Sequence, residues 1–483
     1  MSDLKQQATK AFLWDFSGRL AQHGMSFIVS IFLARLLEPS DFGLIAMVMV
    51  IVGLASIFVD IGLGAALIQR KRLHQIHYSS VFYFNVFLGT LLSLITYFLA
   101  ASISNFYNTP ALLPIIEAMS PLFVINALNS VQIIRFQREL NYALFTKLSI
   151  AASLSSGFIG VFMAYKGFGV WSLVTQILSL GVISVILIWK NSKWIPRLEF
   201  SWKALKQLWG FGFRMFLSAV ISSISDRLDY LIIGKIFTPT TLGYFQRAKS
   251  LDNMIIQYSS GSLMRVLFPV LSKLQHDLKR LQSVVMHVLR MIIFIIFFVL
   301  GCLFITSQDI IVLLFTQRWL PSAKYFEILV LCSFAYPISS LLVNILASRG
   351  NSKIFLKLEV YKRIIYLLNF FILYQWGILA YLYGLVLVSF FSVLLNMFFA
   401  AREMNVVFMK FLYPILIQIT ITFFTTQITL IIIQKLVYAL SIMLIIKLVI
   451  FSLLYLGCNH LFQIKSYLTT MSELKKFLQK LKK

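Results

Sequence analysis

Along one stretch of the chain, Arg214, Ser218, Ser222, Ser225 with Asp226, and Asp229 follow one another three or four residues apart. On a helix that spacing draws a single polar stripe. A second stripe runs through Gln246, Ser250, Asn253, Gln257 and Ser260, with Arg247, Lys249, Asp252 and Arg265 beside it. A third holds Asp15, Arg19, Gln22 with His23, Ser26 and Ser30. Guanidinium groups grip phosphate through paired donors, and carboxylates set among them can take up and release a cation. Arg19, His23, Arg214, Arg227, Arg247, Lys249 and Arg265 are therefore the candidate anion-binding residues. Asp226, Asp229, Asp252 and Asp60 are the candidate ion-coupling groups, with a capping role as the alternative for Asp60. Pairing competes with both roles: Asp15 to Arg19 and Lys249 to Asp252 have the spacing of ion pairs along a helix.

Other chemistry is absent from the pattern. Cys302, Cys332 and Cys458 each sit alone in an apolar segment, with no spacing that suits a metal or a disulfide framework. His74 and His77 stand beside Arg70, Lys71 and Arg72 without further ligands. Gly62-Leu-Gly64, Gly167-Phe-Gly169 and Gly210-Phe-Gly212 lack the third glycine and the strand-to-helix setting of a dinucleotide loop, so they read as sites of close packing or of a break. With no nucleotide loop either, neither cofactor nor metal is expected, and ATP is not the direct energy source.

The surroundings of the stripes give them their meaning. The chain has 483 residues, 59% hydrophobic and 12% charged, against about 45–50% and about 25% in soluble domains. Its mean hydropathy is +0.87. Apolar runs long enough to cross about 30 Å of hydrocarbon recur throughout. A charge in the middle of such a run costs about 2.5–3.5 kcal/mol on insertion scales, which calls for a partner or a wet cavity. The net charge of +26 is spread through short loops rather than gathered in one arm, which argues against nucleic acid.

Apolar length and flanking breakers predict fourteen membrane-spanning helices, near 10 to 36, 42 to 68, 79 to 104, 112 to 135, 143 to 165, 169 to 189, 207 to 236, 241 to 272, 284 to 306, 322 to 348, 354 to 374, 377 to 400, 409 to 433 and 437 to 461. The odd-numbered connections carry only Lys166, Arg318 and Lys435, whereas the even ones collect Arg70 to Arg72, Arg135, Arg138, Lys190 to Lys206, Lys273 to Arg280, Arg349, Lys353 and Arg402. By the positive-inside rule both termini are cytoplasmic. The N-terminal segment, with Asp15 and Arg19 and no cleavage site, is expected to be retained.

An internal echo divides the chain. Leu33-Ala-Arg-Leu-Leu-Glu-Pro39-Ser-Asp-Phe-Gly43 is matched by Ile233-Gly-Lys-Ile-Phe-Thr-Pro239-Thr-Thr-Leu-Gly243, with the prolines 200 residues apart. Six segments separate the copies, so the halves form a parallel repeat. The expected architecture is an all-α polytopic membrane protein: an N-terminal lobe over 1–195, a C-terminal lobe over 196–405, each of six helices, and two additional helices over 406–463. Residues 464–483 form a basic amphipathic tail suited to an anionic leaflet.

Asp60-Ile-Gly-Leu-Gly-Ala-Ala-Leu-Ile-Gln69, Phe136-Gln-Arg-Glu-Leu140, Gly167-Phe-Gly-Val-Trp171-Ser-Leu, Asp229-Tyr-Leu-Ile-Ile-Gly234 and Leu242-Gly-Tyr-Phe-Gln-Arg-Ala248 resemble motifs of the polysaccharide-transporter branch of the multidrug/oligosaccharidyl-lipid/polysaccharide exporter superfamily. Within it the resemblance is to O-antigen and colanic-acid repeat-unit flippases. It implies two six-helix lobes around a central cavity, in a bacterial inner membrane. The implied passenger is an undecaprenyl-pyrophosphate-linked oligosaccharide, moved to the periplasmic leaflet by alternating access. Membrane lipids, a polysaccharide polymerase and chain-length machinery are the implied partners. A multidrug exporter on the same fold is the alternative, disfavoured by the arginine excess. A membrane-bound polymerase would need a longer extramembrane loop than the sequence offers.

Overall fold

The computed structural model describes the backbone of residues 2–257, 262–434 and 439–481, and their side chains except at 2–13, 15, 16, 19, 225, 262–266, 352, 353, 355, 356, 477, 480 and 481. The described chain is built of helices joined by short connections and contains no strand. The first half runs α1 (Ser2–Leu36), α2 (Pro39–Ala55), α3 (Ile57–Asp60), α4 (Leu63–Gln69), α5 (Gln75–Phe98), α6 (Ala100–Phe106), α7 (Leu112–Met119), α8 (Leu122–Arg138), α9 (Tyr142–Tyr165), α10 (Val170–Asn191) and α11 (Trp202–Ile236). There follow α12 (Pro239–Ile256), α13 (Ser262–Lys273), α14 (Leu278–Phe315), α15 (Leu320–Ser333), α16 (Ala335–Ser348) and α17 (Ser352–Leu373). The chain closes with α18 (Ile378–Glu403), α19 (Met409–Ile433), α20 (Leu440–Leu461) and α21 (Lys465–Leu481).

Among the described residues ten helical stretches are long and apolar enough to cross a membrane, and α11, bent by 42° between Trp202–Ile224 and Asp226–Ile236, makes an eleventh. Of the other expected spans, 354–374 lies in α17, which carries Lys357, Glu359, Lys362 and Arg363; 241–272 includes α12, which carries Arg247, Lys249 and Asp252, and runs through residues outside those described; and 10–36 lies in α1.

The chain forms two compact units, Met1–Gln246 and Arg247–Lys483. In the first, α9 packs on α1 and α10, α5 on α8, and α11 on α2 and α4. The expected second span is not one helix: Ile61 and Gly62 take left-handed φ values of 42° and 70° and separate α3 from α4. Glycine is needed at 62 for its backbone angle and for space, because a β-carbon there would strike the Gly212 carbonyl of α11. The carboxylate of Asp60 accepts the Gly64 amide at 3.0 Å, closing the new helix start.

Each end of this unit gathers one class of connection. At the basic end, residues 192–201 are stapled down: the Gln132 amide donates to the Trp194 carbonyl at 3.1 Å, Trp194 Nε1 to Gln75 at 2.7 Å, and the amides of Arg197 and Ser201 to the hydroxyls of Ser79 and Ser80 at 3.1 and 2.9 Å. Arg138 donates to the carbonyls of Leu67 and Lys71. At the other end Lys235 donates to the Phe106 carbonyl. There the two echoes meet: a β-carbon on Gly43 would run into the Pro239 carbonyl, and one on Gly243 into the Pro39 carbonyl.

In the second unit α14 is the post, packed by α15, α19, α20 and α21. Its 38 residues reach about 57 Å at 1.5 Å per residue, well beyond a hydrocarbon core. A buried polar network joins its neighbours: the single Tyr455 Oη proton is shared between the Phe294 carbonyl at 2.9 Å and Gln418 Oε1 at 2.7 Å, and Gln418 Nε2 donates to Asn459 at 2.6 Å. Three basic connections meet at one end, where Arg349 pairs with Glu403 at 2.7 Å and donates to the Gln275 carbonyl at 3.1 Å, and Gln282 donates to the Met404 carbonyl at 2.7 Å. The tail helix α21 sets Tyr467 against Phe294 and Glu473 3.5 Å from His287, leaving Leu468, Leu474 and Leu478 exposed.

Candidate functional site

The polar stripe of α11 is positioned by the opposite face of the same helix. Gly212 lies against Gly62, the Phe216 ring meets Phe58 edge-on at 5.1 Å, and Gln207 is held by Arg70 at 2.6 Å. Two residues on from Gly212 and Phe216, about 200° around the helix, Arg214 and Ser218 are exposed. Ser222 and Asp226 continue the exposed row, and Asp229 is half-buried. Arg214 forms no ion pair among the described residues. A membrane-length helix with a row of hydroxyls, a guanidinium and a carboxylate turned away from its packed side can hydrate and bind an anionic group.

Arg227 departs from that row. Its guanidinium fills the notch over Gly53 of α2, with Nη1 donating to the Met49 carbonyl at 2.9 Å and Nε to Ser223 at 3.3 Å. It clasps α2 to α11. Asp60 is engaged by the Gly64 amide and by Asn85 Nδ2 at 3.3 Å, so its contacts are those of a helix cap.

In the second unit Arg247 is 3% exposed and its guanidinium lies 4.7 Å from the centre of the Phe315 ring and 5.1 Å from that of Trp319. Lys249 reaches Asp252 at 2.9 Å, and the buried Asp252 also receives the Ser333 hydroxyl. The structure thus brings Lys249 and Asp252 together as a closed pair. His23 is exposed on α1. The side chains of Arg19 and Arg265 lie outside the described residues.

One charged pair escaped sequence reasoning. Lys447 of α20 meets Asp309 of α14 at 2.6 Å, with side chains 13% and 7% exposed. Each is an isolated charge within a membrane-length segment, which is the signal that could have found them. Their separation of 138 residues conceals the pairing.

Comparison with known proteins gives a consistent result. A family model described as polysaccharide biosynthesis protein matches residues 32–324. A membrane protein from the cps region of Klebsiella pneumoniae is 24% identical over 410 residues, covering 83% of each chain. The lipopolysaccharide biosynthesis protein WzxC of Escherichia coli (strain K12) is 22% identical over 370 residues, 75% of this chain and 74% of that one. Among solved structures, the lipid II flippase MurJ in its inward closed conformation superposes with a TM-score of 0.73 at 16% identity, covering 93% of this chain and 98% of that one. The fold is shared with that structure.

Proposed function

Since the chain belongs to the polysaccharide biosynthesis protein family, we propose that it is a transporter, not an enzyme, that flips lipid-linked oligosaccharide units across a bacterial inner membrane for surface polysaccharide assembly. The passenger carries a diphosphate and many hydroxyls, and each unsatisfied polar group costs several kcal/mol in hydrocarbon. A polar path must therefore run beside the lipid, so that the headgroup crosses wet while its tail stays in the bilayer. The basic end faces the cytoplasm, because lysine and arginine are retained on that side. The termini then lie in the cytoplasm, and a polymerase and chain-length machinery act on the released unit.

The observation that carries this reading is the exposed Arg214 on α11, set opposite the packed Gly212–Phe216 face. Arg214 meets the diphosphate, with Ser218 and Ser222 as further partners. Asp226, exposed on the same helix, is favoured as a coupling group over Asp60 and Asp252, whose carboxylates already serve a helix start and an ion pair; Asp229, one turn further on, is a second candidate. The test replaces Arg214 by Ala and by Lys in a strain lacking the native gene, and measures surface polymer at equal protein level. Arg214→Ala abolishes polymer and Arg214→Lys keeps part of it; full polymer from Arg214→Ala overturns the assignment.

A further inference from the structure

At the basic end of the first unit lies a cavity of about 280 Å³ whose walls include His74, Tyr78, Arg135, Arg138, Glu139 and Trp194. It is separate from the α11 stripe. We propose that this cavity binds the phosphate of an anionic lipid headgroup.

The walls are held by groups other than a ligand. Trp194 is 6% exposed and is fixed by Gln75 and by the fully buried Gln132. Arg135 stands 5.9 Å from the Tyr78 ring and 5.8 Å from the Trp194 ring, and its single hydrogen bond among the described residues goes to Glu139 at 2.6 Å. A guanidinium has five N–H donors in a fixed fork, so one bond to Glu139 leaves most of that fork for an incoming anion. Arg138 is committed to the Leu67 and Lys71 carbonyls, which fixes a second positive charge beside the first. Two guanidinium groups against one carboxylate leave the cavity positive, as phosphate recognition requires. The cavity sits where two membrane-length helices end, at the start of α5 and the close of α8, the level that helix length assigns to headgroups, with Leu73 among its walls. That placement selects a lipid-borne phosphate.

Two sources share this chemistry: a resident phospholipid, and the passenger's diphosphate before it crosses. The second rests on the transport reading above; the first does not. Thermal unfolding of the full-length protein in non-ionic detergent is followed with dioleoylphosphatidylglycerol, with phosphate-free dioleoylglycerol, and with geranyl diphosphate. Phosphatidylglycerol stabilises and dioleoylglycerol does not. Arg135→Gln weakens the apparent affinity about tenfold, the equivalent of about 1.4 kcal/mol, and Glu139→Gln strengthens it. Both variants break the same ion pair, so a purely structural role shifts them in the same direction, and that outcome overturns the proposal, as does equal stabilisation by the two lipids. Competition by geranyl diphosphate assigns the site to the passenger; lack of competition, with the opposed variant effects kept, assigns it to phospholipid. Arg214→Ala leaves this binding intact, which separates failure here from failure of the transport reading.

Discussion

Gly43 and Gly243, corresponding residues of the two echoes, each face the carbonyl oxygen of the other copy's proline, so that α2 and the first turns of α12 touch backbone to backbone. No side chain larger than hydrogen fits at either position. Gly43→Ala and Gly243→Ala are each expected to destabilise this packing by about 1–3 kcal/mol, the usual range for overpacking. Thermal unfolding of the purified variants measures it; unchanged midpoints in both would show that the close approach carries no stability.

Arg227 and Gly53 form a lock whose two parts can be removed separately. Gly53→Ala drives the guanidinium off the Met49 carbonyl and is expected to lower stability. Arg227→Ala on its own leaves a void. With Arg227 gone, however, the added methyl at 53 has room, so the double variant is less destabilised than the sum of the singles. A double-mutant cycle reads this coupling directly, and strict additivity would refute the contact.

The Asp309–Lys447 pair is nearly buried, so removing one charge strands the other. Asp309→Asn or Lys447→Met is expected to lose about 3–5 kcal/mol, with most of the loss recovered when both are replaced by apolar residues of similar size. Chemical unfolding in detergent tests this. Equal loss in the single and double variants would mean that the pair holds nothing together.

For Asp60 the expectation is the modest effect of a helix cap. Asp60→Ala is expected to cost about 0.5–2 kcal/mol, and Asp60→Asn less, since an amide oxygen still accepts the Gly64 N–H. Surface polymer at equal protein level should survive both. Loss of polymer from Asp60→Asn in a normally folded protein would return Asp60 to the coupling groups.

Much of the fold is legible because the membrane simplifies the code. Apolar length marks the spans, and the partition of Arg70 to Arg72, Arg135, Arg138 and Lys190 to Lys206 from the other connections marks the ends that meet in space. The echo at Pro39 and Pro239 is visible as a pattern, but its self-contact is not, because sequence similarity carries no information on which faces oppose. The break at Ile61 and Gly62 is hidden in an apolar run, where nothing but the Gly-Leu-Gly fragment hints at it. Arg214 and Arg227 share a helix and a residue class, yet lie about 220° apart around it. One is exposed and the other fills the Gly53 notch, a difference set by α2 rather than by local sequence.

The pinning of residues 192–201 bears on how the protein can be taken apart. A basic, proline-containing stretch between two long helices invites a cut when a chain is to be produced as two fragments. Here that stretch supplies the partners of Gln132, Ser79 and Ser80, all fully buried. Severing it at Pro196 would free Arg197 and Ser201 from the first fragment and leave the hydroxyls of Ser79 and Ser80 dry and unmatched. This basic loop is the wrong place to divide the chain.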